Sequence, residues 1–400
     1  MVKVYLIAGE ISGDFIGSHL IESLKNLYKI EGENIDFVGV GGGSMEKAGI
    51  KKSLFPIKQI SLIGFTEILP HLFKITKLIK QVVRDIEQQK PNLLITIDSP
   101  GFTYRVVQKI RKLRPHLKIL HIVAPTVWAY KPSRALKYAK VYDYLFVLLP
   151  FEPPYFQKLG LDCRYIGHPV IEQNFYEGQS KKQLREELQI YYNDLTPKIN
   201  WDTKILSVTC GSRKGEIVRH MPVFVEAINI IANQYPKLLV IFVLADMDHQ
   251  VLLTPFLTTV DFYYIFSTDR LKIFAASDIA LAKSGTNTLE IAACNTPMVV
   301  AYKLNLLSYW LIKFLIKVNY ISLINIVADR EILPELIQYN CTSSKIAKTL
   351  ISLLANREQA DRQLKESRKI LIELGFNSIH SPSNIAATII KNEYLSNKLT

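Results

Sequence analysis

The sequence predicts an α/β protein built from two Rossmann-like halves. Short segments rich in β-branched and aromatic residues alternate with helical patterns, which is typical of parallel sheets with helices on both faces. This alternation occurs twice, on either side of a polar stretch at 171–201 that is rich in Gln, Asn, Lys and Glu. Two such halves predict a cleft between two sheets, with ligands bound at the carboxyl ends of the strands.

The predicted elements follow from this alternation. Helices such as those at 16–28 and 72–89 separate the strands of the first half, and apolar periodicity predicts a further helix at 181–189. The tail is helical from Ser343, and its last helix opens at Ser381. The predicted strands are 2–8, 36–40, 93–97, 118–123 and 144–148 in the first half, and 205–209, 238–245, 279–282 and 298–302 in the second.

Length and composition favour two domains of ordinary globular character. We predict an N-terminal domain at 1–170, a linker region at 171–201, a C-terminal domain at 202–375, and a terminal helix at 376–400 that returns toward the first domain. Such domains bury large cores and need no covalent staples. The four cysteines form no CxxC pair, so we expect neither disulfides nor a zinc site, as is typical of a reducing cytosol.

The net charge of +13 indicates an anionic partner. Most of the excess lies at 71–140, where fifteen basic residues face three acidic ones and give a net charge of +12. With a mean hydropathy of +0.12, this balance favours either nucleic acid or an anionic membrane surface. No stacking-aromatic module or helix-turn-helix pattern supports nucleic acid, so we expect no nucleic-acid partner.

The start of the chain and its longest apolar stretch bear on membrane insertion. The first eight residues have the pattern of a buried strand, so no secretory leader is predicted. The stretch at 304–327 is interrupted by Lys313 and Lys317, so it does not predict a transmembrane span. We therefore expect a soluble protein that can attach to a membrane surface.

Polar residues in the first half follow two predicted strands. Glu10, Ser12 and Asp14 lie in a glycine turn after the first strand, where a doubly wound sheet binds its ligand. Asp98 follows the most apolar strand, and a carboxylate at that position can act as general base on a hydroxyl. The alternative is that Ser12 or Asp14, and likewise Asp98, caps a helix.

Two loops in the second half have the character of phosphate-binding turns. The first is Gly211-Ser212-Arg213, where glycine and serine expose backbone N–H groups at a helix start and the guanidinium suits a diphosphate. The second spans 284–286, with Glu290 one turn later, where a carboxylate can accept two ribose hydroxyls. The alternative for this second loop is a helix capped by Thr286 with Glu290 in solvent. No sequence pattern of a metal site is present.

The helical pattern at 72–86 has an apolar face and a basic face. Lys74, Lys77 and Lys80 lie on the basic face, with Phe73 among them. In one interpretation the apolar face belongs to the core and the lysines to solvent; in the other the basic face binds an anionic bilayer. A second segment, 304–318, is apolar on so much of its surface that another element, a subunit or lipid must cover it.

Taken together, these motifs resemble the lipid-A-disaccharide synthases, bacterial enzymes of the lipopolysaccharide pathway. The resemblance runs in order along nearly the whole chain. It rests on 8–14, 40–42, 63–67, 97–100, 124–129, 149–152, 166–169, 211–213 and 284–286, on Glu290, and on 320–323 with Asn325.

The resemblance implies a GT-B fold and an inverting glycosyl transfer that needs no metal or other cofactor. The donor is UDP-2,3-diacylglucosamine, and the acceptor is the 6-hydroxyl of 2,3-diacylglucosamine 1-phosphate. The products are the β(1→6)-linked tetraacyl disaccharide 1-phosphate and UDP. The resemblance also implies attachment to the cytoplasmic face of the inner membrane, and a homodimer that exchanges C-terminal segments.

Residue roles follow from the resemblance combined with the chemistry of the side chains. Asp98 is the expected base and Glu10 the alternative one, while Arg213 stabilises the leaving group. Glu290 and Asn325 would hold ribose and uracil, and Arg330 would contact the diphosphate or brace Asn325. The expected donor-binding residues are Gly211, Ser212, Arg213, Ser284, Gly285, Thr286, Glu290, Asn325 and Arg330. The expected acceptor- or lipid-facing residues are Ser12, Asp14, Phe73, Lys74, Lys77 and Lys80.

Three positions depart from the family pattern. Cys210 stands where the family has proline before Gly-Ser-Arg, Ile324 replaces a proline before Asn325, and Asp329 replaces a glycine. Two rival functions share parts of the pattern: a UDP-sugar 2-epimerase of the same fold, and a peripheral lipid-binding protein without catalysis. An epimerase needs no acyl-chain surface, so the apolar and basic segments count against it. A lipid-binding protein needs no paired phosphate loops, so the two loops of the second half count against that function.

Overall fold

The computed structural model describes residues 2–61, 68–192, 198–200, 202–211, 213–305 and 318–395, with side chains at 61 and 68–72 left out. Its contacts divide the chain into two compact units. The first comprises Met1–Pro169 together with Leu374–Thr400, and the second comprises Val170–Glu373. The polar stretch predicted as a linker therefore falls within the second unit, and the last helix belongs to the first.

The first unit contains a six-stranded parallel sheet of order β2-β1-β3-β4-β5-β6. Its central strand β3 is an unbroken run of five buried residues, as expected for a strand covered on both faces. The strands are β1 Val2–Ala8, β2 Ile35–Val40, β3 Leu93–Ile97, β4 Lys118–Ile122, β5 Tyr144–Val147 and β6 Asp162–Tyr165.

The second unit repeats the architecture with the order β12-β11-β10-β7-β8-β9, again parallel. Two six-stranded parallel sheets with helical connections confirm the predicted α/β class with two Rossmann-like domains. The strands are β7 Lys204–Thr209, β8 Leu238–Val243, β9 Tyr263–Ser267, β10 Ile279–Ala282, β11 Met298–Tyr302 and β12 Glu335–Ile337.

Helices connect the strands of both sheets. Those of the first unit are α1 Ile11–Ile30, α2 Gly43–Ala48, α3 Lys58–Ser61, α4 Ile68–Gln89, α5 Pro100–Leu113, α6 Arg134–Ala139, α7 Pro153–Gln157 and the terminal α16 Pro382–Ile389. Those of the second unit are α8 Lys181–Tyr191, α9 Lys214–Gln234, α10 Gln250–Leu253, α11 Arg270–Ala276, α12 Asn287–Ala293, α13 Leu323–Ala328, α14 Ser343–Ala355 and α15 Arg357–Glu373.

Sequence analysis missed three strands, β6, β9 and β12. All three lie at sheet edges. An edge strand is only partly buried, so its sequence lacks the continuous apolar run that identifies a central strand. In β6, for example, Asp162 and Arg164 alternate with Cys163 and Tyr165.

Helix α4 packs against the first sheet through its apolar face. Ile75, Leu78, Ile79, Val82 and Ile86 join the core that covers this side of the sheet. The core interpretation of the apolar face is therefore confirmed. The opposite face carries the lysines and is described with the site below.

The terminal helix packs on the other side of the same sheet. Ala386, Ala387 and Ile390 join a core with residues of β1, and the ring of Tyr394 stacks on Tyr144 at 3.6 Å. The chain thus returns to its first unit after the second is complete.

Within the described residues, none of the helices combines the length and the apolar character that crossing a bilayer requires. The predicted apolar segment at 304–318 lies almost entirely outside the described residues.

Candidate functional site

Both sheets have a topological switch point, and the loops that carry Glu10, Asp98, Gly211 and Ser284 lie there. In the first sheet β1 pairs with β2 on one side and β3 on the other, so the connections leave in opposite directions. In the second sheet β7 pairs with β8 and β10 in the same way. Open parallel sheets bind ligands at such points, beyond the carboxyl ends of the strands.

At the first switch point the loops after β1 and β3 touch. A Cβ placed on Gly9 would lie 2.1 Å from Oγ of Ser99, so only glycine fits. This contact brings together the loops that carry the two candidate bases, Glu10 and Asp98. Glu10 and Ser12 are exposed at the start of α1.

Asp98 lies at the end of β3 in a backbone conformation that a residue other than glycine rarely adopts. Its φ is +52°, and that of Ser99 is +49°. Consecutive left-handed residues cost of order 1–3 kcal/mol each and are concentrated at functional sites. The loop is held by Asp98 N–H, which donates to the carbonyl of Ile122, and by the hydroxyl of Thr103, which donates to the carbonyl of Asp98 at 2.9 Å.

Burial raises the pKa of Asp98, and the N–H of Ser99, which donates to Asp98 Oδ1 at 2.7 Å, lowers it in part. The net direction is upward, toward the range in which a carboxylate is an effective general base. The structure therefore gives the predicted base a suitable environment. The N–H of Ser99 aligns one oxygen of this carboxylate.

A buried polar cluster lies close to Asp98. His121 Nδ1 is 2.7 Å from the hydroxyl of Thr96, and the rings of Tyr138 and Tyr142 pack around His121. Burial lowers the pKa of His121 to about 3, so this side chain is neutral. It is therefore a structural neighbour of the site rather than a base.

Asp14 does not face a ligand, contrary to the prediction. Its carboxylate is buried and accepts hydrogen bonds from the backbone N–H groups of Gly42, Ser44 and Met45, at 2.6, 3.0 and 3.1 Å. It caps the start of α2 and holds the glycine-rich turn after β2. The alternative that Asp14 caps a helix is therefore confirmed, although the capped helix is α2 rather than α1.

Sequence analysis passed over Glu152, which braces the loops after β4 and β5. It is buried, accepts a hydrogen bond from the indole of Trp128 at 3.0 Å, and another from the N–H of Leu149 at 3.1 Å. Burial raises its pKa to about 7, against the lowering effect of these donors. The motifs at 124–129 and 149–152 thus meet through one side chain.

The basic face of α4 is exposed. Phe73 is 90% exposed, and Lys74, Lys77 and Lys80 are exposed beside it. An aromatic ring among lysines on one solvent-facing helix surface is the arrangement that the membrane interpretation requires.

At the second switch point, the loop after β7 runs through Gly211 into α9. Gly211 has a φ of +120°, and a Cβ there would lie 2.6 Å from Oε2 of Glu216. Arg213 is the exposed residue at which α9 begins. Ser212 lies outside the described residues. Cys210 is buried at the end of the strand, so the missing family proline is replaced by an ordinary core side chain.

The loop after β10 lies beside the first loop. The side-chain amide of Asn287 donates to the hydroxyl of Thr209 at 2.8 Å, and the N–H of Lys283 donates to the carbonyl of Thr209. The hydroxyl of Ser284 donates to the carbonyl of Ile321, so it anchors a neighbouring loop. Thr286 occupies the N-cap position of α12, as the alternative had it, but its side chain makes no cap hydrogen bond.

Glu290 is buried rather than solvated. Its Oε1 accepts hydrogen bonds from Arg270 at 2.9 Å and from Gln173 at 3.0 Å. Both bonds fall on one oxygen, which leaves Oε2 for a ligand. Arg270 and Gln173 were not predicted, because they lie far from the recognised motifs in sequence.

Asn325 cannot hold uracil, contrary to the prediction, because it is fully buried and its bonding capacity is used. Its Nδ2 donates to the carbonyl of Leu333 and to Glu335, and its Oδ1 accepts from the N–H groups of Ile332 and Leu333, all within 2.9 Å. Asn325 therefore braces the turn after α13. The replacement of proline by Ile324 leaves this placement intact, since Ile324 is itself buried.

Two neighbours of Asn325 complete this turn. Arg330 forms an ion pair with Glu366 on α15, and its backbone N–H donates to the carbonyl of Asn325. Of its two predicted roles, bracing Asn325 is therefore the one with an observed contact. Asp329 adopts a φ of +48°, so it retains a conformation that the family's glycine permits.

The second switch point also contains charged residues that sequence analysis missed. Lys283 lies between the end of β10 and Ser284, and its ammonium lies 3.2 Å from Oε1 of Glu216. Tyr302, at the end of β11, donates to the same oxygen at 3.3 Å. The sequence did contain a signal for Lys283, because it is a charged residue directly after a wholly buried strand.

His220 fixes two backbone segments near these charges. Its Nδ1 lies 2.8 Å from the carbonyl of Cys210, and its Nε2 accepts from the N–H of Lys303 at 3.1 Å. These partners assign the proton to Nδ1. Burial lowers the pKa of His220, which keeps this neutral form. Within the described ranges, no three His, Cys, Asp or Glu side chains are grouped to hold a metal ion.

Comparison with known proteins identifies close relatives. The family model described as lipid-A-disaccharide synthetase matches residues 4–389. The lipid-A-disaccharide synthase of Rickettsia prowazekii (strain Madrid E) is 57% identical over 396 residues, covering 99% of this chain and 100% of that protein. The synthase of Rickettsia felis is 56% identical, covering 100% of this chain and 98% of that protein.

Solved structures share the fold at low identity. The UDP-GlcNAc 2-epimerase of Neisseria meningitidis bound to UDP-GlcNAc has a TM-score of 0.61 at 14% identity, covering 94% of this chain and 100% of that one. The S. aureus MnaA-UDP co-structure has a TM-score of 0.63 at 14% identity, covering 95% and 98%. The calicheamicin glycosyltransferase CalG4 has a TM-score of 0.59 at 12% identity and covers both chains fully. These likenesses establish the fold alone.

Proposed function

The chain belongs to the lipid-A-disaccharide synthase family, and we propose that its two switch points divide one glycosyl transfer between them. The activity is that of a glycosyltransferase that uses a UDP-sugar and lipid X, which is 2,3-diacylglucosamine 1-phosphate. The epimerase alternative is not favoured, since the epimerase of Neisseria meningitidis is 14% identical and the Rickettsia prowazekii synthase 57%. A non-catalytic lipid-binding role is not favoured by the same family match.

The proposed reaction uses UDP-2,3-diacylglucosamine as donor and 2,3-diacylglucosamine 1-phosphate as acceptor. The 6-oxygen of the acceptor attacks the anomeric carbon of the donor from the face opposite UDP. The carbon–oxygen bond to the diphosphate breaks, and its electron pair leaves with UDP. The proton of the acceptor hydroxyl passes to Asp98, so atoms and charge balance.

The observation that carries this proposal is the environment of Asp98. Its raised pKa, its left-handed backbone and its position at a switch point are what a general base at a sugar-binding site requires. Glu10 is the alternative base, because its loop contacts the Asp98 loop through Gly9 and Ser99. Glu10 is exposed, whereas Asp98 is partly buried, so Asp98 is preferred.

The donor is assigned to the second switch point. Gly211, Ser212 and Arg213 would contact the diphosphate together with the loop at 284–286, and Arg213 would stabilise charge on departing UDP. Oε2 of Glu290 would accept a ribose hydroxyl, while Arg270 and Gln173 hold its other oxygen.

An acceptor-dependence assay tests the function. Purified protein is incubated with UDP-2,3-diacylglucosamine, with and without 2,3-diacylglucosamine 1-phosphate, and both UDP and the disaccharide are measured. We expect UDP release that requires the acceptor and equals disaccharide formation. UDP release without acceptor, or epimerisation of UDP-GlcNAc, would contradict the assignment.

We further propose that α4 meets the membrane through Phe73 and the lysines beside it. The exposed ring would enter the interface, and the ammonium groups would bind anionic headgroups. We propose that the protein attaches in this way to the cytoplasmic face of the inner membrane, as the family resemblance implies. A homodimer with exchanged C-terminal segments stays a prediction.

Substituting Lys74, Lys77 and Lys80 together with glutamine is expected to weaken binding to phosphatidylglycerol-containing vesicles about a hundredfold, since each basic residue contributes about 1 kcal/mol. Binding is measured by vesicle co-sedimentation at low salt. The matched control substitutes Lys182, Lys348 and Lys365, which are exposed on the second unit. Equal losses in the two variants would contradict a specific role for α4.

A further inference from the structure

The second switch point contains one charge arrangement that the assigned donor residues do not explain. Lys283 and Glu216 form an ion pair at 3.2 Å between the two donor loops. The side chain of Glu216 is 9% exposed and that of Lys283 is 21% exposed. Burying a carboxylate and an ammonium together is costly, so such a pair is weak evidence for stability and invites a functional explanation.

Each member of the pair contacts a different loop. The carboxylate of Glu216 packs on Gly211, where a Cβ would lie 2.6 Å from Oε2. The ammonium of Lys283 lies beside Gly285, where a Cβ would lie 3.8 Å from Nζ. The pair therefore connects the two glycine turns at the place where each turn leaves its strand.

Tyr302 fixes the ammonium from a third strand. Lys283 Nζ lies 5.7 Å from the centroid of the Tyr302 ring, and the Tyr302 hydroxyl donates to Glu216. Burial and Glu216 raise the pKa of Tyr302, whereas Arg219 and Arg213 lower it. The positive charges of both guanidinium groups therefore act on the Tyr302 hydroxyl. A Cβ on Gly215 would lie 3.7 Å from Nη2 of Arg219.

The local charge balance is positive. Lys283 pairs with Glu216, and the positive charges of Arg219 and Arg213 act on Tyr302, which bonds to the same carboxylate. This positive charge suits the negative diphosphate of a UDP-sugar. UDP carries one more negative charge after the sugar leaves, so a cation beside the diphosphate favours the products.

We propose that Lys283 binds the diphosphate of UDP and that Glu216 and Tyr302 position its ammonium between the donor loops. This inference rests on the proposed donor site. Glu216 keeps the lysine extended toward the loops while the site is empty, and the entering phosphate becomes a second anionic partner. Because Lys283 acts on phosphate, its contribution depends on the number of phosphates in the ligand.

The test compares the affinities of UDP, UMP and uridine for the full chain by calorimetry. In Lys283→Gln we expect the preference for UDP over UMP to fall about tenfold, which corresponds to about 1.4 kcal/mol, while uridine affinity stays unchanged. Lys283→Arg keeps the charge and should retain most of the preference. Lys348→Gln, on an exposed face of α14, serves as the matched control and should retain it all.

A second variant covers the case in which Lys283→Gln removes the cation beside the buried carboxylate of Glu216 and the protein unfolds. The double variant Lys283→Gln/Glu216→Gln removes both charges and should also lose the preference for UDP. An unchanged preference in the double variant would overturn the inference. Wild-type protein that binds neither UDP nor UMP would overturn the proposed donor site and this inference together.

Discussion

Replacing Asp98 with asparagine is expected to lower kcat by about a hundredfold to ten-thousandfold, the range that a general base contributes. Asparagine matches aspartate in size and tolerates the left-handed backbone at this position, so the loop should keep its shape. UDP affinity should stay within about twofold of wild type, since the proposed donor site lies in the other unit. Steady-state kinetics and calorimetry on the same preparation measure both quantities.

Stability provides an internal control for this variant. Burial raises the pKa of Asp98, so the fold disfavours the ionised carboxylate relative to the unfolded chain. That destabilising contribution is present where the carboxylate is ionised, and it fades as the pH falls below the raised pKa toward the ordinary one. Asp98→Asn should therefore be at least as stable as wild type at neutral pH, and lost turnover cannot be attributed to unfolding.

The pH profile and a second variant separate the two candidate bases. Activity needs the ionised base, so kcat/KM should fall on the acid side, at a pH above the usual range of an aspartate. Glu10→Gln should keep this acid limb, because the titrating group remains. Full activity in Asp98→Asn together with collapse in Glu10→Gln would assign the base to Glu10 instead. The exposed Glu22→Gln serves as the control substitution in the same unit.

The central strands and the switch points were predictable from the sequence, because a buried parallel strand is a continuous apolar run. β3 shows this most clearly, with Leu93 to Ile97 fully buried and Asp98 directly after them. Three of the four edge strands, β6, β9 and β12, were missed because they are only partly buried, whereas the fourth, β2, was predicted at 36–40. Because the central strands could be recognised, motif residues next to them, such as Gly9 and Asp98, were assigned correctly to the ends of strands.

The direction in which a polar side chain points was the part that the sequence could not supply. Asp14, Glu290 and Asn325 all follow predicted motifs, yet the structure gives them different surroundings. The carboxylate of Asp14 accepts from backbone N–H groups, and the side chain of Asn325 bonds to the backbone and to Glu335, whereas Glu290 keeps one carboxylate oxygen. The pairing of Lys283 with Glu216 was missed because the two residues are 67 positions apart in the sequence, a separation that no local pattern can bridge.

The correction for Asn325 leads to the second large effect. In Asn325→Ala, the N–H groups of Ile332 and Leu333, the carbonyl of Leu333 and an oxygen of Glu335 each lose a partner. Unsatisfied buried polar groups cost about 1–3 kcal/mol each, and water entering the space left by the side chain recovers part of this. We expect the free energy of unfolding to fall by about 3 kcal/mol, measured by urea denaturation.

A bracing role and a uracil-binding role predict opposite patterns for this variant. If Asn325 braces the turn, stability falls and the affinity for uridine, measured well below the melting temperature, changes little. If Asn325 contacted uracil, uridine affinity would fall while stability stayed near that of wild type. Asn233→Ala, at an exposed position of α9, should change stability by less than about 0.5 kcal/mol. Asn325 is connected to the donor loop through Glu335. Glu335 also accepts from the N–H groups of Ile321 and Ser322, and the hydroxyl of Ser284 donates to the carbonyl of Ile321. Loss of Asn325 would therefore reach the donor loop through this chain of contacts. Any effect on UDP should therefore be smaller than the effect on folding.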